Sequence, residues 1–241
     1  MTALVLPTPL VATSLVLRSR RRALFAAQKK RLVRLTDPSG AGKTTAAEDA
    51  ALWVEAKLGL RTVTMTVPYR PAPKEISIRI CQALTGSAPT MSGYELSDYV
   101  VELLGQHEVL FLFDEAQYLG IPGMEQVKYL WERQHFGALI VGDTRLRALL
   151  AKSPQLDSRV SLGVQFELLA GDPLHAVVRT FHPAFAAASR KVLTQIERMH
   201  RGNLRRWRDT ADVLDELIAR TGRTGDLADI QLLNALLAEF T

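Results

Sequence analysis

The chain has 241 residues, 47% of them hydrophobic, with a formal charge of +5 and a single cysteine, Cys81. Such a composition excludes an intrinsically disordered chain and a disulfide scaffold, and it suits one large domain, or one domain with a small appendage, around a substantial core. The basic excess permits an acidic partner without requiring one, so the places where cations cluster matter more than their sum. One cysteine fits a reducing cytoplasm, and Cys81 itself reads as a small apolar residue on a helix.

The first 30 residues carry only Arg and Lys as charges. Their apolar run, Leu4 to Leu17, holds Pro7 and Pro9, and Arg18, Arg20, Arg21 and Arg22 follow it rather than precede it. Neither a membrane span nor a secretory signal is expected from that order. Thr13 or Ser14 can cap a helix that turns Leu15, Leu17, Leu24 and Phe25 inward and leaves Arg18 to Arg22 on an outer face. That cluster is either a nucleic-acid contact or a solvated helix surface.

Residues 31 to 47, RLVRLTDPSGAGKTTAA, read as a short apolar strand, a tight loop and the first turn of a helix. This is a phosphate-binding loop: Gly40 and Gly42 let backbone N–H groups close around phosphates, Lys43 reaches the terminal phosphates, and Thr44 offers a hydroxyl to magnesium. One position departs from G-x-x-x-x-G-K-[ST], because Asp37 stands where the first glycine belongs and Pro38 follows it. A helix from Thr45 to Leu58 and a strand from Arg61 to Val67 continue a β-α-β order. Three prolines then break the segment Pro68 to Lys74, which carries Tyr69, Arg70 and Lys74. Such a loop can grip a nucleic-acid backbone or serve as a rigid connector. Short helices are expected over Glu75 to Leu84 and Glu95 to Leu104.

Val109 to Phe113 is an unbroken apolar run suited to a central parallel strand, and it ends in Asp114-Glu115, where open α/β sheets bind ligands. Asp114 then faces magnesium, and Glu115 is placed to polarise a water for in-line attack on the γ-phosphate. A helix over Met124 to Gln134 leads to a buried strand, Ala138 to Gly142, which ends in Asp143-Thr144. These two can sense the γ-phosphate or the attacking water from between the acidic and phosphate-binding strands, and Asp143 can also cap the helix Arg145 to Ala151. Leu156-Asp-Ser-Arg-Val160 precedes a last strand, Val164 to Leu169, and an exposed Arg159 could enter a neighbour's nucleotide site. From Gly171 only helices are expected: Leu174 to Thr180, Ala184 to Met199, Leu204 to Arg220 and Leu227 to Phe240. Arg205 or Arg206, at a helix start after Gly202-Asn203, could reach bound phosphates. The histidines are scattered, which argues against a metal cluster.

Four motifs together, Gly40-Ala-Gly-Lys-Thr-Thr45, Asp114-Glu-Ala-Gln117, Leu156-Asp-Ser-Arg159 and Gly202-Asn-Leu-Arg205, resemble the AAA+ ATPases of the transposition target-selection group, which includes TnsC, TniB and Mu B. The resemblance covers about residues 20 to 215. It implies an α/β P-loop NTPase (AAA+) fold, with a central parallel sheet flanked by helices and a small C-terminal all-helical lid. The divisions expected are an N-terminal extension and basic helix at 1–30, an AAA+ core at 31–170 and the lid at 171–241. It implies ATP and Mg2+ as cofactors, with Ser39, Gly40, Ala41, Gly42, Lys43, Thr44, Thr45, Asp114 and Arg205 binding the nucleotide and Thr44 and Asp114 holding the metal. Glu115 is then catalytic, Asp143 or Thr144 the first sensor, Arg159 the finger and Arg205 the second sensor.

In that family, ATP-bound subunits form rings or filaments around duplex DNA and recruit a transposase, with hydrolysis driving disassembly. The expected partners are therefore sequence-nonspecific duplex DNA, further copies of the chain, and a transposase with, in some systems, a target-selection protein. No membrane is expected, and the compartment is the cytoplasm. The extra N-terminal DNA-binding domain of Mu B finds no room here, so DNA contact falls to Tyr69, Arg70 and Lys74. The rival readings are a helicase-loader type AAA+ protein, an ExeA-like signalling or secretion ATPase, and a non-hydrolysing scaffold, against which Glu115 argues.

Overall fold

The structure is a computed structural model that describes residues 10–160, 162–222, 225–227 and 230–240. The start of the N-terminal stretch, residues 1–9, lies outside them. In chain order the elements are α1 (Ser14–Lys29), β1 (Leu32–Thr36), α2 (Lys43–Leu58), β2 (Arg61–Thr66), α3 (Pro73–Thr85), α4 (Gly93–Gln106), β3 (Val109–Asp114), α5 (Gly120–Gln134), β4 (Gly137–Val141), α6 (Thr144–Ala151), α7 (Pro154–Arg159), β5 (Leu162–Gln165), α8 (Gly171–Val178), α9 (Pro183–Ala187), α10 (Arg190–His200), α11 (Leu204–Thr221) and α12 (Ile230–Ala238). A 3-10 turn, Ala116–Leu119, follows β3. They form two compact units, one of residues up to Asp37 with Lys43–Phe166, the other of Pro38–Gly42 with the residues from Glu167 onward.

The first unit is built on a five-stranded parallel sheet in the order β2-β3-β4-β1-β5. β3 and β4 are buried along their whole length, the apolar signature of strands covered on both faces. β4 lies between the strand that carries Asp114 and the strand that leads into the phosphate loop. Ile76, Ile80, Leu96, Val100, Val127 and Leu130 from α3, α4 and α5 pack with Phe111 and Phe113 in one continuous core, and Cys81 is buried in it.

Several local expectations are corrected here. Helix α1 is capped by Thr13, whose hydroxyl accepts from Val16 N–H, but its buried face is Leu15, Val16, Ser19, Ala23 and Ala26. Leu17 is 43% exposed, so the inward stripe is shifted and made of smaller residues. The outer arginine cluster is interrupted too, because Arg20 forms a bidentate pair with the buried Asp49 of α2. Lys74 belongs to the first turn of α3, since Pro73, with its fixed φ and no N–H to lose, opens that helix. Leu156 to Arg159 lies in α7, another helix opened by a proline, and the last strand is Leu162–Gln165.

The second unit is helical, with a core of Leu174, Phe185, Leu193, Trp207, Leu214 and Leu236. The single helix expected over Ala184 to Met199 is two. α9 ends at Ala187, Ala188 turns extended, and the Ser189 hydroxyl caps α10 by accepting from Val192 N–H. Arg179 makes that break tolerable by donating to the carbonyls of Phe185, Ala186 and Ala188, which the short helix leaves without helical partners.

Candidate functional site

In the first unit, Lys43 begins α2 and Asp114 ends β3, so a helix N-terminus and a strand C-terminus bring them together. The Thr44 hydroxyl donates to the Asp114 carboxylate, 3.2 Å from Oδ1 and 3.1 Å from Oδ2. A hydroxyl and a carboxylate are thus already convergent at hydrogen-bond distance, the donor pair that a P-loop magnesium takes alongside phosphate oxygens and water. Lys43 Nζ donates to the Asp37 carbonyl at 2.6 Å. Burial lowers the Lys43 ammonium below the ordinary lysine range, opposed by the nearby charges of Asp143, Glu115, Asp114 and Asp37. Of these four carboxylates, Asp143 is also paired with Arg145 and Asp37 with Arg147, which leaves Glu115 and Asp114 as the negative charges without a guanidinium partner among the described residues.

Asp114 is raised from the usual aspartate range, first by burial and also by Glu115, while the Glu115 N–H, the Thr44 hydroxyl and Lys43 act the other way. Glu48, one turn beyond Thr44 on α2, is a further carboxylate that the motif reading passed over. Burial and the charge of Asp114 both raise it. The i, i+4 spacing from Thr44 was the signal available in the sequence. Among the described residues no group of three or more His, Cys, Asp or Glu could hold a metal.

Glu115 adopts a left-handed backbone, φ 55°, where the chain leaves β3 for the 3-10 turn. Its carboxylate accepts from Gln117 Nε2. Asp143 follows β4 and caps α6, its Oδ1 accepting from Arg145 N–H at 2.8 Å and its Oδ2 from Arg145 Nε at 2.8 Å. Burial alone would raise Asp143, but these bonds and the charges of Arg145 and Lys43 outweigh it and hold the carboxyl below its ordinary value. Thr144 is exposed at the first position of α6.

Asp37, the residue in place of the first loop glycine, has φ 93°, a conformation that glycine adopts without strain and aspartate does not. Its side chain is only 7% exposed and accepts from Arg147 Nη1 of α6 at 3.2 and 3.4 Å and from the Thr36 hydroxyl at 3.1 Å. Arg147 is a partner that the loop pattern could not disclose. Along the chain, Tyr69 is 71% exposed and meets Tyr118 edge to face at 5.6 Å, and the Arg70 guanidinium stands 5.3 Å from the Tyr69 ring. The Arg145 guanidinium stands 5.2 Å from the Tyr118 ring. Lys74 is exposed on α3. Arg159 donates from Nε to Glu132 of α5 at 3.1 Å, with about half of its side chain (48%) exposed, so it is held at the surface rather than beside Lys43 and Asp114.

Within the second unit, the loop residues Pro38–Gly42 lie against the start of α11. Leu204 N–H donates to the Gly40 carbonyl at 2.8 Å, and a Cβ on Gly40, whose φ is 79°, would stand 2.1 Å from Asn203 Oδ1. Asn203 also caps α11 by accepting from the N–H groups of Arg205 and Arg206. Ser39 is exposed, Ala41 is buried, and Arg205 and Arg206 expose their side chains in the first turn of α11. Thr45, in the first unit, is half-buried on α2.

A family model described as an AAA domain matches residues 26–150, just over half of the chain. No curated protein matches. Among solved structures, the Aeropyrum pernix ORC1 protein in complex with DNA superposes with a TM-score of 0.73 at 19% identity, covering 97% of this chain and 68% of that one. The ORC2 protein of the same organism, solved as ADPNP–ADP complexes, gives 0.72 at 17% identity, over 96% of this chain and 68% of that one. Domain III of the replication initiation protein DnaA from Thermotoga maritima gives 0.66 at 18% identity and is matched over 99% of its length by 97% of this chain. At these identities the likeness is one of fold. Among the described residues no helix is long and apolar enough to cross a membrane.

Proposed function

We propose that this chain, which belongs to the AAA domain family, is an ATP-hydrolysing switch that assembles on DNA and acts on a DNA-bound partner in the manner of a helicase loader. The observation that carries the nucleotide part is the convergence of Lys43, Thr44, Asp114, Glu115 and Asp143 in one unit, with Thr44 already bonded to Asp114. Magnesium-bound ATP would supply the phosphoanhydride and the counter-charge. Lys43 would hold the terminal phosphates, Thr44 and Asp114 would hold the metal, Glu115 would take the proton of the attacking water, and Asp143 with Thr144 would report on the γ-phosphate. The products are ADP and phosphate.

Arg159, held at the surface of α7, is suited to complete the site of a neighbouring copy, and Arg205, at the start of α11, to act as second sensor from a C-terminal lid of residues 171–241. Tyr69, Arg70 and Lys74 form the proposed DNA contact, gripping the duplex backbone without reading sequence.

The solved structures with this fold include replication initiators, one of them bound to DNA, which supports the helicase-loader reading over the others. The transposition target-selection reading keeps specific support in the motif set Asp114-Glu-Ala-Gln117, Leu156-Asp-Ser-Arg159 and Gly202-Asn-Leu-Arg205. In that reading the partner is a transposase, and hydrolysis releases the DNA-bound oligomer. One pair of measurements separates them. Fluorescence anisotropy with labelled duplex, across a salt series with ATP or ADP, should show ATP-dependent binding that weakens steeply with salt and that Arg70→Ala/Lys74→Ala abolishes. Co-capture of the ATP-bound protein with a replicative helicase, and not with a transposase, is then expected. Absence of ATP-dependent duplex binding at low salt would remove the transposition reading, whereas a helicase loader is expected to bind the helicase and single-stranded DNA, and failure of both of those would remove the loader reading.

A further inference from the structure

Gln117 stands two residues beyond Glu115 in the 3-10 turn and is half-buried. Its amide makes two bonds of opposite sense. Nε2 donates to the Glu115 carboxylate, and Oε1 accepts the backbone N–H of Asp143 at 3.3 Å. A carboxylate can only accept and a backbone N–H can only donate, so the amide has one orientation that satisfies both. No other common side chain of this length offers a donor and an acceptor side by side. Glutamate is isosteric but has no donor for Glu115, and leucine has neither group. The approach is close on the β4 side as well, because a Cβ on Gly142 would come within 2.7 Å of Gln117 Oε1. Glycine at 142 is what lets the amide reach the end of β4.

The two strands joined in this way are neighbours in the sheet. One ends in the proposed general base, the other in the proposed γ-phosphate sensor, and a single side chain spans them. Glu115 itself leaves its strand in a left-handed conformation, which does not by its own backbone preference fix where the carboxylate points. We propose that Gln117 is a positioning residue for hydrolysis: it aims the Glu115 carboxylate and locks it in register with the Asp143 end of β4. This deepens the ATPase assignment above and rests on Glu115 being the base.

The test is steady-state ATP turnover with magnesium by Gln117→Glu and Gln117→Leu, beside Glu115→Gln, together with ATP affinity measured without turnover. If Gln117 aims the base, both Gln117 variants lose about tenfold or more in kcat, with KM for ATP, ATP affinity and melting temperature close to those of the unmodified protein. Gln117→Glu preserves volume and the acceptor for Asp143 but sets a second carboxylate against Glu115, so a loss shared with the uncharged Gln117→Leu is what separates the donated bond from packing and from added charge. Gln117→Glu also remains informative should Gln117→Leu fold poorly. Turnover within twofold of normal in Gln117→Glu, or a loss expressed in KM instead of kcat, overturns the proposal. Full turnover by Glu115→Gln overturns instead the assignment of the base on which it rests.

Discussion

The substitution of a loop glycine by Asp37 yields the sharpest quantitative test. Arg147→Ala removes the guanidinium from a carboxylate that is 7% exposed and keeps the bond it accepts from the Thr36 hydroxyl. Breaking a fully buried pair costs about 3–5 kcal/mol, and losing an exposed one about 0.2–1 kcal/mol. This pair is mixed, with Arg147 53% exposed, so solvent screening brings the expected cost down to roughly 1–2 kcal/mol. For a chain of this size that lowers the melting temperature by about 2–8 °C. Asp37→Gly acts differently. It relieves a non-glycine residue at φ 93°, of order 1 kcal/mol, but frees the unfolded chain by about 0.4–1 kcal/mol and gives up the same pairing with Arg147, so its net effect is a destabilisation of roughly 0.5–2 kcal/mol. Lys43 keeps its bond in that variant, because it is made to the backbone carbonyl and not to the carboxylate. The assay is a double-mutant cycle by urea denaturation. Arg147→Ala should cost roughly 1–2 kcal/mol in the native sequence and almost nothing beside Asp37→Gly. Equal costs in the two backgrounds would refute the pairing as a stabilising element.

Two further outcomes are expected. Arg159→Ala loses only a surface pair with Glu132 and should fold and bind ATP normally, yet its specific ATPase activity should not rise with protein concentration as that of the unmodified protein does; normal concentration dependence rules out the finger role. His200 is buried against Thr210, and burial, with Arg206, lowers its pKa below the ordinary histidine value while Asp209 opposes. Folded protein then binds fewer protons than unfolded protein below about pH 6.5, so stability is full above that value and declines as pH falls through the interval down to the folded pKa. Melting curves of His200→Gln at about pH 5 and pH 7 should differ less than those of the unmodified protein, and an identical pH dependence would show that His200 does not contribute.

The sheet was legible because its central strands carry their information in composition. Val109 to Phe113 and Ala138 to Val141 are continuous apolar runs, and only burial on both faces makes such runs stable in water. The phosphate loop was legible because Gly40, Gly42, Lys43 and Thr44 each meet a separate physical demand at a fixed spacing. Helix α1 was read less well for a reason of size. Its buried stripe includes Ser19, Ala23 and Ala26, with the Ser19 hydroxyl donating to the Leu15 carbonyl, and small residues that pack closely leave a weak hydrophobic signal. The division between α9 and α10 was hidden because alanine suits a helix. What breaks the run is the Ser189 cap and the guanidinium of Arg179, a residue outside the segment itself.

The parts of the site that escaped the sequence share one property: each is a bond between residues that no local pattern relates. Asp37 looks like a defect in a glycine motif until Arg147, on α6, is seen to neutralise it, and its positive φ shows that the position holds the conformation a glycine adopts without strain. Asn203 looks like a helix cap and is one, but the same residue closes over Gly40, while the neighbouring Leu204 N–H satisfies the Gly40 carbonyl. The loop glycine is thus required on two counts, once for its φ and once because any side chain would strike Asn203. A spacing motif records only the first of these demands, since φ is a property of the residue and its immediate chain, whereas a close approach belongs to the folded unit. Substituting alanine for Gly40 therefore disturbs more than phosphate geometry. It pushes directly on the start of α11, the helix whose first turn carries Arg205.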